Sequence, residues 1–259
     1  MELELSFVLV QQIILFFLLL TRITGVIMSA PIFGSNYLPS QIKVAFSIVI
    51  TLVFVPLFGS ETVPQLDLMN IVLAIFMELM VGIGIGLIAN IFFSAVHIAG
   101  QIIDMQMGFA MANVMDPQYE TQVPLTGHFK YILAILIFLS INGHHLLIRT
   151  IYQSYEFFPM GEIAQLDSGA LVMNELISTV FVLAVQVSAP ALGTLFLTNI
   201  ALGVLARTVP QMNVFIIGFP VKIFIGILAM MLMLPFYNMI LETIFEHIWD
   251  GIYNFLDSL

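Results

Sequence analysis

Two apolar runs, each longer than one membrane crossing needs, constrain this chain more than any other feature. The first contains 31 residues, between Glu175 and Arg207, and has no ionisable side chain. The second contains 36 residues, between Asp67 and Asp104, and has only two ionisable side chains. About 20 apolar residues are enough to cross a bilayer as a helix. The runs are continuous rather than alternating, which is typical of helices and not of strands. The sequence therefore predicts an all-α, polytopic helical membrane protein.

The composition excludes several other classes of protein. Of the 259 residues, 61% are apolar and 8% are charged, whereas about 25% of the residues in a soluble domain are charged. The 6 basic residues against 16 acidic ones supply no patch that could neutralise nucleic-acid phosphates. A soluble enzyme and a nucleic-acid-binding protein are both excluded, and membrane lipid is an expected partner.

Turn residues divide the chain into about six long apolar spans. We expect these spans at 7–33, 44–58, 68–103, 131–148, 176–206 and 214–241, with an amphipathic continuation to 259. The third and fifth exceed what a hydrocarbon core of about 30 Å requires, so we expect them to tilt, to break or to lie partly within other protein. Pro190 favours a kink or break in the fifth. The few basic residues place the first, third and fifth loops in the cytoplasm and both termini outside.

No motif for enzymatic chemistry stands out. His144 and His145 are adjacent and do not share a helix face, so we expect no joint metal site from them. The glycine-rich stretch 81–86 lacks the preceding strand and the later acidic residue of a nucleotide-binding loop. Cysteine is absent, which removes thiolate nucleophiles and ligands. The sequence indicates no enzyme, no catalytic residue, no metal and no cofactor.

Gly82, Gly86 and Glu78 in the third span predict close helix packing. Gly82 and Gly86 have the small-xxx-small spacing that lets another helix approach. Glu78 is an ionisable group inside an apolar run, where such a group needs a polar partner or a wet cavity. A proton relay would require a chain of such groups, so a structural or assembly role is the preferred interpretation.

The stretch 100–124 is too polar for a lipid-facing helix and too apolar for a free loop. Met107, Met111 and Met115 step by four residues, which would place them on one helix face, and methionine repacks readily around different shapes. Gly108 supplies backbone freedom, and Pro117 stops the segment from extending as a helix. The stretch therefore predicts a deformable internal plug or gasket.

A set of short motifs follows in a fixed order along the chain. They are Ala-Pro at 30–31, GQIIDMQMGF at 100–109 followed by Asp-Pro at 116–117, Asn-Gly-His at 142–144, Phe-Pro-Met-Gly at 158–161, NIALGVLAR at 199–207, PQMNVF at 210–215 and Ile-Gly-Phe-Pro at 217–220. Together they resemble the FliR family of flagellar type III export-gate proteins, which is related to the SpaR, YscT and EscT proteins of injectisomes. The resemblance covers essentially the whole chain.

The resemblance implies a subunit that assembles with FliP-like and FliQ-like proteins into a channel for unfolded export substrates. It implies a location in the bacterial inner membrane, within the flagellar basal body, with part of the gate above the membrane plane. By this similarity the single helical membrane domain, 1–259, divides into a FliP-like part, 1–168, and a FliQ-like C-terminal hairpin, 169–259.

The resemblance also assigns roles to particular residues. The turn 207–213 would contact an FlhB-like protein on the cytoplasmic side through Arg207, Pro210 and Gln211. The plug loop maps onto thirteen residues: Met105, Gln106, Met107, Gly108, Phe109, Ala110, Met111, Ala112, Asn113, Val114, Met115, Asp116 and Pro117.

Two other functions are possible for a polytopic membrane protein. A proton- or solute-coupled secondary transporter would need a midplane site with paired broken helices, and no such pairing is evident in the sequence. An intramembrane hydrolase would need a nucleophile or metal motif, which is missing.

Overall fold

The computed structural model describes residues 2–35, 37–58, 68–109, 124–162, 166–211 and 213–259. Within these ranges the chain forms seven α-helices, one short 3-10 helix and no strand, so the all-α prediction is confirmed. The helices are α1 (Glu2–Ser29), α2 (Ser40–Phe54), the 3-10 helix (Val55–Leu57), α3 (Leu68–Met107), α4 (Leu125–Ser140), α5 (Gly143–Phe157), α6 (Leu166–Thr208) and α7 (Val214–Asp257).

The described helices include five that are long and apolar enough to cross a membrane, in α1, α2, α3, α6 and α7. Together α4 and α5 form a sixth candidate, but they bend by 68° at the break between them. The break contains Asn142 at φ 59°, in the left-handed region that asparagine tolerates better than most residues. The predicted number of spans is therefore confirmed, while the fourth span is a bent pair of helices rather than one rod.

Helix α6 continues through Pro190 without the break that the sequence favoured. Proline has no N–H, so the carbonyl of Gln186 lacks its usual helical donor. The Thr194 hydroxyl donates to the Pro190 carbonyl at 2.9 Å, and the Ser188 hydroxyl donates to the Val185 carbonyl at 3.0 Å. These two hydroxyl groups bond carbonyls other than that of Gln186, and the helix nevertheless remains continuous across the proline. Helix α7 likewise contains two internal prolines.

The chain divides into two compact units. The first contains Met1–Ile91, Ile141–Ile177 and His247–Leu259, and the second contains Phe92–Ser140 and Ser178–Glu246. These boundaries lie mostly within long helices and do not follow the division at 168/169 that the resemblance implies. The likeness of the two sequence parts to FliP and FliQ stays a prediction.

Each unit has its own apolar core. In the first unit, the fully buried side chains include Leu18, Leu19 and Ile23 of α1 and Ile85 and Ile88 of α3.

In the second unit, Phe93, Phe138 and Phe245 form an aromatic cluster with ring centroids 5.2–5.8 Å apart. Two of these three ring pairs meet edge to face, a geometry that adds stability beyond the apolar area it buries.

The surfaces of α6 and α7 remain strongly apolar. Only 17% of the most apolar window of α7 is buried within the chain. The two helices together expose at least twenty large apolar side chains, including Phe181, Phe196, Phe224 and Phe236. An apolar surface of this extent is typical of contact with lipid or with other protein, and the length and composition of the helices are those of a membrane-embedded chain.

Candidate functional site

A buried ion pair joins α1, α3 and the end of α5 in the first unit. Arg22 Nε donates to Glu78 Oε2 at 2.5 Å, and the two side chains are 0% and 1% exposed. Arg22 Nη1 donates to Ser154 Oγ at 2.9 Å, and Nη2 donates to the Phe158 carbonyl at 3.0 Å. The guanidinium carbon also lies 3.8 Å from the centroid of the Tyr155 ring. We call these five residues the charged junction.

Pairing and hydrogen bonds compensate the buried guanidinium of the charged junction, whereas Glu78 Oε1 and the Tyr155 hydroxyl have no hydrogen-bond partner among the described residues. Removing a guanidinium and a carboxylate from water is costly, and attraction between them repays that cost only when the geometry is good and further hydrogen bonds are made. Each of the three guanidinium nitrogens donates to an oxygen. Arginine suits this position since its planar group presents several donors in a fixed arrangement.

Glycines bring α1 and α3 close together around the charged junction. A Cβ atom placed on Gly82 would overlap the carbonyl oxygen of Arg22, and one placed on Gly86 would overlap Ser29 Oγ. In the opposite direction, a Cβ on Gly25 would lie 2.9 Å from the backbone nitrogen of Ile83. The helix backbones can meet at this distance only where side chains are absent or small. Gly82, Gly86 and Glu78 thus all lie where α3 meets α1.

Sequence reasoning missed the α1 side of this contact. Gly25 and Ser29 have the same four-residue spacing as Gly82 and Gly86, and Arg22 is the only ionisable side chain in the span 7–33. A search for one cation and one anion, each alone in an apolar run, would have predicted the pairing of Arg22 with Glu78.

The predicted plug segment begins at the C-terminus of α3, and its first five residues are described. The Gly108 amide donates to the Met105 carbonyl and the Phe109 amide donates to the Asp104 carbonyl, at 3.3 and 3.1 Å. This pair of bonds is the Schellman arrangement that ends helices on a left-handed residue. Gly108 has φ 91°, a conformation that glycine adopts without strain.

The Met107 side chain is fully buried in the apolar core of the second unit. It forms a cluster with Ile103 of α3 and with Ala191 and Leu195 of α6, against which Phe109 also packs. A Cβ atom on Gly226 of α7 would lie 2.7 Å from Met107 Cγ, so the thioether fills the space that this glycine leaves. We call Met107, Ile103, Ala191, Leu195 and Gly226 the methionine seat.

The other described members of the plug segment lie in different surroundings. Met105 is 69% exposed, and Gln106 is exposed as well. Gly108 faces the ring of Phe219 on α7, where an added Cβ would come within 2.5 Å of the ring. The remaining eight predicted residues, Ala110, Met111, Ala112, Asn113, Val114, Met115, Asp116 and Pro117, lie outside the described residues.

A polar clasp joins the end of α3 to the start of α4, on either side of residues 110–123. The Asp104 carboxylate accepts hydrogen bonds from the Thr126 amide at 3.1 and 3.3 Å. The Thr126 hydroxyl donates to the Gly100 carbonyl at 2.9 Å. A Cβ on Gly100 would overlap the backbone of Gly127, and a Cβ on Gly127 would lie 3.1 Å from the carbonyl oxygen of His97 on α3. A carboxylate at a helix N-terminus is favourable since it accepts from unpaired amides and interacts with the helix dipole.

The three residues predicted to contact a cytoplasmic partner lie together at the end of α6. Arg207, Pro210 and Gln211 are all exposed. Arg207 lies in the last turn of α6, where a cation interacts favourably with the helix dipole. The arrangement leaves these side chains available to another molecule.

The adjacent histidines come closer than the sequence suggested. The ring centroids of His144 and His145 lie 4.2 Å apart in the first turn of α5. Among the described residues, no group of three histidine, aspartate or glutamate side chains could hold a metal ion.

These features define a class of protein, namely a membrane-embedded, all-helical protein in which buried polar and small residues hold long helices together. The chain belongs to the family described as bacterial export proteins, family 1, which matches residues 13–248. This match, together with relatives that are named FliR, confirms the resemblance to the FliR family.

The chain is similar over most of its length to proteins named flagellar biosynthetic protein FliR. It is 35% identical to that of Bacillus subtilis (strain 168), over 89% of this chain and 90% of the relative. It is 30% identical to that of Escherichia coli (strain K12), over 95% and 92%, and 29% identical to that of Pectobacterium carotovorum, over 94% and 93%.

Proposed function

We propose that this chain is a subunit of the flagellar type III protein-export gate. It assembles with FliP-like and FliQ-like subunits into the channel that passes unfolded flagellar proteins. The similarity to FliR proteins supports this role, as do the apolar surfaces of α6 and α7, which the chain itself leaves uncovered. The sequence parts 1–168 and 169–259 correspond in this proposal to a FliP-like portion and a FliQ-like hairpin.

The methionine seat is the observation that carries the proposed closing role of residues 105–117. A channel for unfolded chains must accept any sequence, whereas a fixed polar filter selects particular ions. Met107 is held by apolar contacts alone, and methionine changes rotamer readily. A contact of this kind can exclude water at rest and still give way when a chain passes.

The lengths of three helices support a location partly outside the hydrocarbon layer. Helices α3, α6 and α7 contain 40, 43 and 44 residues. At 1.5 Å per residue each is roughly 60–66 Å long, about twice the hydrocarbon thickness. We place the gate in the bacterial inner membrane at the flagellar basal body, with part of the assembly above the membrane plane.

A conductance measurement on the assembled gate tests the plug. Deleting Ala110–Val114 should let small ions through while the complex still assembles, because the polar clasp lies outside the deletion. Changing Met107 to Ala should give a weaker leak, since it empties only part of the apolar contact. Normal assembly with wild-type conductance in both variants would contradict the plug.

Site-specific crosslinking tests the predicted cytoplasmic contact at Arg207, Pro210 and Gln211. Cysteines placed at Thr208 and Gln211 should crosslink to an FlhB-like partner and react with reagents added from the cytoplasmic side. The parent chain contains no cysteine, so background labelling of this chain is absent. Labelling only from the outer side would contradict both the contact and the orientation.

No observation favours a secondary transporter. Such proteins bind substrate at paired discontinuous helices. In the described part of the chain only α4 and α5 form a broken span, while α6 and α7 continue through their prolines.

A further inference from the structure

Lys130 on α4 is a buried cation whose ammonium lacks a hydrogen-bond acceptor. Its side chain is 5% exposed, and Nζ has no hydrogen-bond partner within the described residues. An ammonium can donate three hydrogen bonds, and leaving a buried charge uncompensated is strongly destabilising. The lysine therefore requires an acceptor that the described part of this chain does not provide.

The nearest polar neighbours direct their hydrogen bonds elsewhere. Asp104 attracts Lys130 through space, but its carboxylate accepts from the backbone amide of Thr126. The Tyr237 hydroxyl donates to the backbone carbonyl of Lys130 at 3.2 Å. The ammonium lies 5.8 Å from the centroid of the Tyr237 ring, a distance at which a cation–π interaction is close to its limit.

Lys130 and Tyr237 line a cleft between α4 and α7 within the second unit. The other walls are apolar: Phe129, Leu133, Met230, Met233 and Leu234. Phe129 and Leu234 are 49% and 42% exposed, so the cleft opens at the surface of the unit.

The cleft is small, and its size limits what can enter. Its free volume is about 10 Å³, which corresponds to one water-sized group. The Lys130 ammonium is itself covered in this chain, so an acceptor from outside contacts it when the long lysine side chain extends towards the mouth of the cleft. Apolar walls around a single cation suit a side chain that is apolar along its stem and anionic at its tip.

We propose that Lys130 receives the carboxylate of an aspartate or glutamate from a membrane helix of another subunit of the export gate. The interaction rests on the proposed function, since it requires a partner subunit. The partner helix covers the apolar walls of the cleft, and its carboxylate accepts hydrogen bonds from the Lys130 ammonium.

Changing Lys130 to Met separates this role from a purely structural one. When the chain is produced alone, the variant should reach a membrane level at least equal to wild type, because a buried ammonium without a hydrogen-bond acceptor in the described part of the chain has been removed. In the complex, FliP-like and FliQ-like subunits retained per tagged chain should fall about tenfold or more, as expected when one partner of a buried charge pair is lost.

Lys43 provides the matched control. Its ammonium already donates to the Gly34 carbonyl at 2.8 Å within the chain, so Lys43→Met removes the same charge from a lysine that has an acceptor of its own. Retention of partners per chain should stay at the wild-type value.

Second-site reversion identifies the source of the carboxylate. Strains carrying Lys130→Glu should lose motility, and revertants should carry an acidic-to-basic change in a membrane helix of another gate subunit. Revertants at Asp104, Asp116 or Glu120 of this chain would overturn the proposal.

Three further outcomes would also overturn it. In the first, Lys130→Met lowers both the membrane level of the chain produced alone and the retention of partners in the complex. In the second, the variant retains its partners as the wild type does. In the third, the variant loses bound anionic lipid while it retains its partners. A wild-type chain that retains neither partner would instead contradict the proposed function itself.

Discussion

Arg22 and Met107 are both completely buried, at 0% exposure, yet they are held by different kinds of interaction. Arg22 makes three directional hydrogen bonds and contacts an aromatic face, next to glycines that bring two helix backbones together. Met107 is held by apolar surface. Directional bonds between charged groups are satisfied in only one geometry, whereas a thioether keeps most of its contacts in several rotamers. The charged junction therefore suits a fixed frame, and the methionine seat suits a contact that opens and closes.

The largest effect is expected from removing one member of the ion pair. Arg22→Met leaves the Glu78 carboxylate buried without its cation, and such a change costs about 3–5 kcal/mol. Since a typical protein is stable by only about 5–15 kcal/mol, the chain should be largely lost from the membrane, as measured by immunoblot.

The double variant Arg22→Met with Glu78→Met is the control for this prediction. It removes both charges and keeps apolar volume, so it should recover much of the wild-type level. A double variant as depleted as the single one would mean that the hydrogen bonds to Ser154 and Phe158, rather than the pairing of charges, stabilise the charged junction.

A smaller effect is expected from adding a methyl group where α1 and α3 pack closely against each other. Gly82→Ala places a methyl group on the backbone of Arg22, and overpacking of this kind costs about 1–3 kcal/mol. Gly203→Ala is the matched control, because no described atom outside its own helical turn lies within 4 Å of its Cβ position. Alanine there favours the helix by up to about 1 kcal/mol. Thermal unfolding of the purified complex distinguishes the two, and equal midpoints would contradict close packing at Gly82.

The smallest effect is expected at the methionine seat. Met107→Leu conserves volume and should change the free energy of unfolding by less than about 1.5 kcal/mol, with conductance close to wild type. Arg22→Lys, the equally conservative change at the charged junction, loses the planar arrangement of donors and should be poorly tolerated. Comparable losses in the two variants, measured as chain level and motility, would remove the distinction between a fixed frame and a deformable contact.

The sequence predicted the fold class, the number of spans and the family because long apolar runs and short motifs are local signals. It also singled out Gly108 for its backbone freedom, and Gly108 directly follows α3 with φ 91°, but it did not predict that the helix ends there. It did not predict that α6 continues through Pro190, because proline by itself favours a kink or break and its tolerance in a membrane helix depends on the groups that pack around it.

The sequence pattern did not predict the contacts between residues that are far apart along the chain. Glu78 was recognised as needing a partner, but the identity of that partner depends on how α1 lies against α3. Lys130 directly precedes the predicted span 131–148, and its burial without an acceptor in the described part of the chain is visible only when α4 and α7 are packed together. Such facts are set by tertiary structure rather than by periodicity.

The charged junction also has a consequence for how the chain is made. Arg22 precedes Glu78 by 56 residues and Ser154 by 132. At 5–20 residues per second, roughly 3–11 s pass between the synthesis of Arg22 and that of Glu78. Throughout that interval α1 carries an arginine that lipid disfavours. Helix α1 can therefore reach its final position only after α3 has been synthesised. The order of synthesis thus makes the first helix of this chain dependent on the third.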